Sequence, residues 1–115
     1  MANSRELALL AAKILHNKKA DDIVLLDVSA LTIITDYFVI CSGKSFLQVK
    51  ALQNELESKL SEHGYTQLRK EGHNEGRWVV MDYGDVVVHI FHQDDRQFYD
   101  LERLWTGAQS IHIDM

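Results

Sequence analysis

The chain contains no proline and a single cysteine, and it has no long apolar run. Without proline there is no rigid polyproline linker and no Pro-rich recognition motif. One thiol, Cys41, cannot close an internal disulfide, which fits a reducing compartment. No window approaches the roughly 18 consecutive apolar residues that a membrane-spanning helix requires, so no membrane partner is expected. Met1 to Glu6 lacks the basic-then-apolar pattern of a secretory signal, and a cytoplasmic location is expected. Repeats and low-complexity tracts are also missing. What remains is 115 residues, 46% hydrophobic and 25% charged, a composition that predicts one folded domain over 1–115.

Positive charge is scarce in the second half. Glu71 to Glu102 holds eight acidic and two basic residues, a net of −6, whereas the remainder holds nine acidic and ten basic, a net of +1. A phosphate backbone is bound mainly by Lys and Arg, so nucleic acid is not expected as the main contact. An acidic patch attracts a basic protein instead. A merely solvated acidic face is the commoner meaning of such a patch, and charge alone does not separate the two.

Apolar spacing marks the elements. Leu7, Leu10, Ala11 and Ile14 recur at helical intervals over Ser4 to Asn17, with Asn3 and Glu6 spaced as a capping box and Lys18 and Lys19 at the negative helix end. Ile23 to Asp27 and Tyr37 to Cys41 read as buried strands, and Thr32 to Asp36 is ambiguous. Ser42-Gly43-Lys44 turns into a second helix, where Ser45 and Gln48 have capping-box spacing. Its apolar stripe is Phe46, Val49, Leu52, Leu56 and Leu60, and Gly64 ends it. Gln67 to Glu71 is a weaker strand. Trp78 to Tyr83 and Asp85 to Phe91 form a hairpin turning at Gly84. Asp94 and Gln97 cap a third helix with Phe98, Leu101 and either Leu104 or Trp105 inward, Gly107 ends it, and residues 108–115 read as a loosely held tail. This order predicts an α/β fold, a mixed β-sheet with helices chiefly on one face and the second helix as a crossover.

Catalytic patterns are weak. Gly43-Lys44-Ser45 follows a strand and opens a helix, but a phosphate loop needs an earlier glycine where this chain has Phe38. Two-metal nucleotidyl transfer needs paired carboxylates on one strand face, and there is no Asp from Tyr37 through Met81. Asp82 and Asp85 are split by a turn. His89 and His92 lie three apart near a strand end and diverge, so no metal site is expected, nor any cofactor. Cys41 sits in an apolar run with no neighbouring cation to activate it. No catalytic residue is assigned, and the chain is not expected to be an enzyme.

The hairpin concentrates Trp78, Met81, Tyr83, Asp82 and Asp85. Trp, Tyr and Met favour the centres of protein interfaces, with charge at the rim. Core packing explains Trp78 and Tyr83 equally well. Strand alternation puts Trp78, Val80 and Asp82 on one side and Val79, Met81 and Tyr83 on the other, and an Asp argues that its side is not fully buried.

The segments LDVSALTIITDYFVICSG (Leu26 to Gly43) and WVVMDYGDVVVHIF (Trp78 to Phe91) resemble the Iojap family of ribosomal silencing factors. So do Gln48-Val49-Lys50, Glu71-Gly72 and the run from Arg96 to Trp105, in order over nearly the whole chain. The resemblance implies a nucleotidyltransferase-like fold that has lost its catalytic carboxylates. It also implies binding to the large ribosomal subunit through the ribosomal protein L-fourteen. That would sterically block joining of the small subunit and repress translation under nutrient limitation. Homodimerisation of the free chain is a further expectation. Trp78, Val80, Asp82, Tyr83 and Asp85 are the candidate contact residues from the hairpin itself, with Asp94, Asp95 and Glu102 as steering charges. The alternatives are a large-subunit assembly factor and a residual nucleotide-binding or nucleotidyltransferase enzyme using the Gly43 turn.

Overall fold

The computed structural model describes residues 4–111 and 113, without the side chains of Phe98 and Tyr99. Its elements in chain order are α1 (Ser4–Asn17), β1 (Asp21–Asp27), β2 (Tyr37–Gly43), α2 (Phe46–Glu62), β3 (Arg69–Glu71), β4 (Trp78–Asp82), β5 (Val86–His92), α3 (Gln93–Tyr99), α4 (Leu101–Leu104) and β6 (Gln109–Ile111). The six strands form one mixed sheet in the order β3-β4-β5-β2-β1-β6. Only β2 and β5 pair in parallel, and the other neighbours are antiparallel. The expected mixed sheet with packed helices is therefore present.

Central position explains the unbroken apolar run in β2. All seven of its residues are buried, because helices cover one side and a second apolar cluster covers the other. On the first side α1 and α2 lie against the sheet. Leu7, Ala8, Ala11, Ala12, Ile14 and Leu15 of α1 meet Val49, Leu52, Leu56 and Leu60 of α2 over Leu25, Val39, Cys41, Met81, Val88 and Ile90. The alanines of α1 let it approach closely. α2 then carries the chain from β2 across β5 and β4 to the far edge strand β3, as a crossover should.

The predicted cap of α2 is formed with a variation. The Ser45 hydroxyl accepts from the Gln48 amide at 3.1 Å, and the Gln48 side chain accepts from the Lys44 amide at 2.6 Å. Phe46 departs from the predicted stripe and lies half exposed against His92. The Asn3 cap proposed for α1 falls outside the described residues.

Two expectations for the C-terminal region are corrected. Asp94 is not the cap of α3: His92, still extended at the end of β5, accepts from the Asp94 amide through Nδ1 at 3.2 Å. The helix begins directly after the strand, which leaves no connecting residue for a separate cap. It also does not run on to Gly107, because Asp100 takes a left-handed conformation (φ 46°) and splits it into α3 and α4. Leu101 is buried and Trp105 packs on the sheet, while Leu104 faces solvent. Within the expected tail, Gln109–Ile111 pairs with Leu25 to Asp27 as β6, because β1 would otherwise leave an edge of unpaired amides.

Candidate functional site

On the second side of the sheet, cross-strand register lines the side chains up in rows. One row runs Arg69, Asp82, Val87, Phe38, Leu26, and the next runs Glu71, Val80, His89, Ile40, Val24. Trp78 faces Phe91 in a third. Helical cover here is partial. Leu101, Trp105 and Val28 close over Leu26, Phe38 and Ile40, with the Trp105 and Phe38 rings edge to face at 5.0 Å. Among the described residues this cover stops short of Val80 and Asp82 in β4. A groove of about 240 Å³ lies there, lined by Arg69, Glu71, Val80, Asp82 and Val87.

Trp78, two residues before Val80 on the same strand face, is half buried, its ring stacked on Phe91 at 5.0 Å. Its indole N–H donates to His89 Nδ1 at 3.0 Å. Because Nδ1 accepts, the neutral ring carries its proton on Nε2. Burial pushes the His89 pKa from its ordinary 6.5 down to about 4, so the ring stays neutral and keeps accepting. The Trp78 side chain is thereby fixed.

Asp82 is half buried. One carboxylate oxygen accepts from the Gly84 amide at 2.8 Å and shapes the hairpin turn, while the other faces Arg69 at 3.5 Å. Asp85 is exposed at the turn, and its backbone carbonyl accepts from the Asp36 and Tyr37 amides. Val80 stands between Glu71 and His89. Trp78, Val80 and Asp82 thus share the open face, with Asp85 at its end.

Tyr83 does not join them. It packs into the helix-covered core, where desolvation first and then the charge of Glu57 push its pKa up to about 12. The three proposed steering charges also differ in availability. Asp94 is largely exposed with its carboxylate 3.7 Å from His92 Nδ1, but Asp95 is paired with Arg77 at 3.5 Å and Glu102 with Arg96 at 3.1 Å. Arg77 lies in the connection before β4, and Arg96 meets Glu102 across the break at Asp100, so neither pair follows from helical spacing. His89 belongs to the site because the register about Gly84 sets it opposite Val80, a pairing that residue type alone does not single out.

A cavity of about 630 Å³ at the other end of the sheet contains Asp22, Ser42, Arg96, Asp100 and Glu102. Arg96 spends its donors there on the Asp22 carbonyl, the Ser42 hydroxyl at 3.0 Å and both Glu102 carboxylate oxygens. Its charge is neutralised internally. At the nearby Gly43 turn, the Lys44 and Gln48 amides are likewise occupied by the cap. Cys41 is fully buried and its thiol is pushed up to about 12 by burial, which leaves it without thiolate character.

The family model described as "Ribosomal silencing factor during starvation" matches residues 1–115. The chain belongs to the ribosomal silencing factor family. It is 41% identical to the ribosomal silencing factor of Bacillus subtilis over 112 residues, covering 97% of this chain and 95% of that one. The chloroplast protein Iojap of Arabidopsis thaliana is 32% identical over 112 residues, 97% of this chain and 47% of that one. A crystal structure of a Chromobacterium violaceum protein superposes with a TM-score of 0.89 at 39% identity, covering 99% of this chain and 94% of that one. Among the described residues no helix is long and apolar enough to cross a membrane.

Proposed function

We propose that this silencing factor acts by occupancy: it binds the large ribosomal subunit through the ribosomal protein L-fourteen and so excludes the small subunit. Translation then falls when nutrients are scarce. The observation that carries the reading is the groove on the sheet, lined among the described residues by Val80 and Asp82, next to Trp78 whose indole is held by His89. An aromatic anchor within an acidic rim suits a basic ribosomal protein. Steric exclusion needs only affinity and bulk, and no reacting group.

Family membership supports a ribosomal target, and the −6 segment containing the hairpin supports a basic one. Trp78, Val80 and Asp82 form the contact, Asp85 its rim, and Asp94 a steering charge. Tyr83 supports the turn from behind. The reading is tested by pelleting purified large and small subunits separately with the chain. Retention on large subunits alone is expected, competed by free L-fourteen. Retention on precursor particles in preference to mature subunits would favour the assembly-factor reading.

A further inference from the structure

The β1–β2 connection, residues 28–36, exposes more apolar surface than its own structure requires. Ile33 is 104% exposed and Ile34 82% exposed, and Leu31 is half exposed. Such exposure is unremarkable in a floppy loop, but this one is pinned throughout. The Leu31 and Thr32 amides donate to the Val28 carbonyl, and the Val28 amide to the Asp36 carbonyl. The Ile34 amide donates to the Thr32 hydroxyl at 3.1 Å, and Ser29 donates twice to Asp27. At the far end the Asp36 and Tyr37 amides donate to the Asp85 carbonyl, and Ser4 reaches the Asp36 carboxylate at 3.1 Å. The backbone that carries the two isoleucines is held by these bonds, so little backbone ordering entropy remains to be lost on docking.

Position and charge narrow the occupant. Through Asp85 the loop is tied to the hairpin turn, at the same end of the sheet as Asp82 and the open groove. Residues 27–36 contain Asp27 and Asp36 and no Lys or Arg. Asp82 and Asp85 lie at the same end of the sheet, so four carboxylates gather at this end, answered by Arg69 on Asp82 and Arg5 near Asp27. An RNA backbone is disfavoured by this charge. A basic protein surface with an apolar recess matches it.

We infer that Ile33 and Ile34 form a second anchor for the ribosomal protein met by the open sheet face, seated in an apolar recess of that protein rimmed by Lys or Arg. The inference rests on the proposed function above. It extends the contact from the Trp78 groove around the end of the sheet and makes it two-pointed, which fixes orientation as well as affinity.

The test titrates isolated large subunits with wild type, Ile33→Ser/Ile34→Ser and Ile33→Leu/Ile34→Leu, alongside sedimentation of each free chain. The serine variant is expected to bind about tenfold or more weakly and the leucine variant within about threefold of wild type, with self-association unchanged. If the serine variant loses its circular-dichroism signature, Ile33→Ser alone is read in its place, since that side chain is fully exposed. Serine variants that bind like wild type overturn the second anchor. The sheet-face reading survives that result if wild type still binds and Asp82→Lys/Asp85→Lys does not. Loss of self-association with subunit binding unchanged also overturns it, assigning the loop to a second copy. Failure of wild type to bind large subunits removes the proposed function and this inference together.

Discussion

The indole nitrogen of Trp78 and Nδ1 of His89 lie 3.0 Å apart across the β4–β5 pair, joining the half-buried anchor of the open face to a buried histidine. That bond exists only while the imidazole is neutral, and burial keeps it so by lowering its pKa to about 4. An unfolded chain takes up a proton below the ordinary 6.5 that the folded chain refuses until about 4. The stabilisation is therefore fully present above pH 6.5 and is lost as pH falls toward 4, a span worth about 3 kcal/mol. Urea midpoints measured across this range should fall with pH. His89→Gln keeps an acceptor for the indole without the titration, so its profile should be flatter between these limits. Parallel profiles for the two chains would contradict the assignment.

Gly72 and Gly64 should respond differently to alanine. Both have positive φ, 78° and 87°, which any side chain resists. A Cβ on Gly72 would stand 1.9 Å from the Trp78 carbonyl oxygen, whereas one on Gly64 meets nothing within 4 Å. Gly64→Ala is expected to cost about 1 kcal/mol, the price of the left-handed conformation alone. Gly72→Ala must also displace the backbone of Trp78, and about 2–4 kcal/mol is expected together with a blue- or red-shifted Trp emission. Equal melting temperatures for the two variants would refute this account of the β3–β4 connection.

Charge reversal at the hairpin should act mainly on encounter with the partner. Asp82→Lys/Asp85→Lys places cations beside Arg69 and turns the acidic end of the sheet basic. Association with large subunits should slow by about tenfold at low salt, and the difference should shrink as salt screens it. Because Asp82 also accepts from the Gly84 amide, Asp85→Lys alone separates the charge effect from a loosened turn. An association rate for Asp85→Lys equal to wild type at low salt would remove Asp85 from the rim.

Cys41 should be silent until the chain unfolds. It is fully buried with its thiol pushed up to about 12. Iodoacetamide at about pH 8 should leave the native chain unlabelled and modify it rapidly in denaturant. Fast labelling of the native protein would mean that the helix-covered face opens readily.

Much of this architecture was legible because it is periodic or local. The α2 stripe of Val49, Leu52, Leu56 and Leu60 is buried as its spacing predicts, and Gly84 turns the hairpin where its positive φ is needed. The alternation that separated Val79 and Met81 from Trp78, Val80 and Asp82 also holds, and it explains why Tyr83 leaves the site. What stayed hidden depends on distant partners. Three residues carry too little periodicity to announce β6, which exists because Leu25 to Asp27 offers an edge. Asp95 and Glu102 look like free charges until Arg77 and Arg96 fold onto them. His92 caps α3 because of where β5 happens to end. Ile33 and Ile34 lie in a stretch with neither helical nor strand spacing, and only the hydrogen-bonded loop shows that they are presented outward.

Recombining purified large and small subunits and resolving them on a sucrose gradient tests the occupancy mechanism most directly. With added protein, the joined-ribosome peak should fall, free subunits should rise, and the chain should migrate with the large subunit, with no nucleotide or other substrate required. A joined peak that persists at saturating protein, or a chain that stays at the top of the gradient, would contradict it.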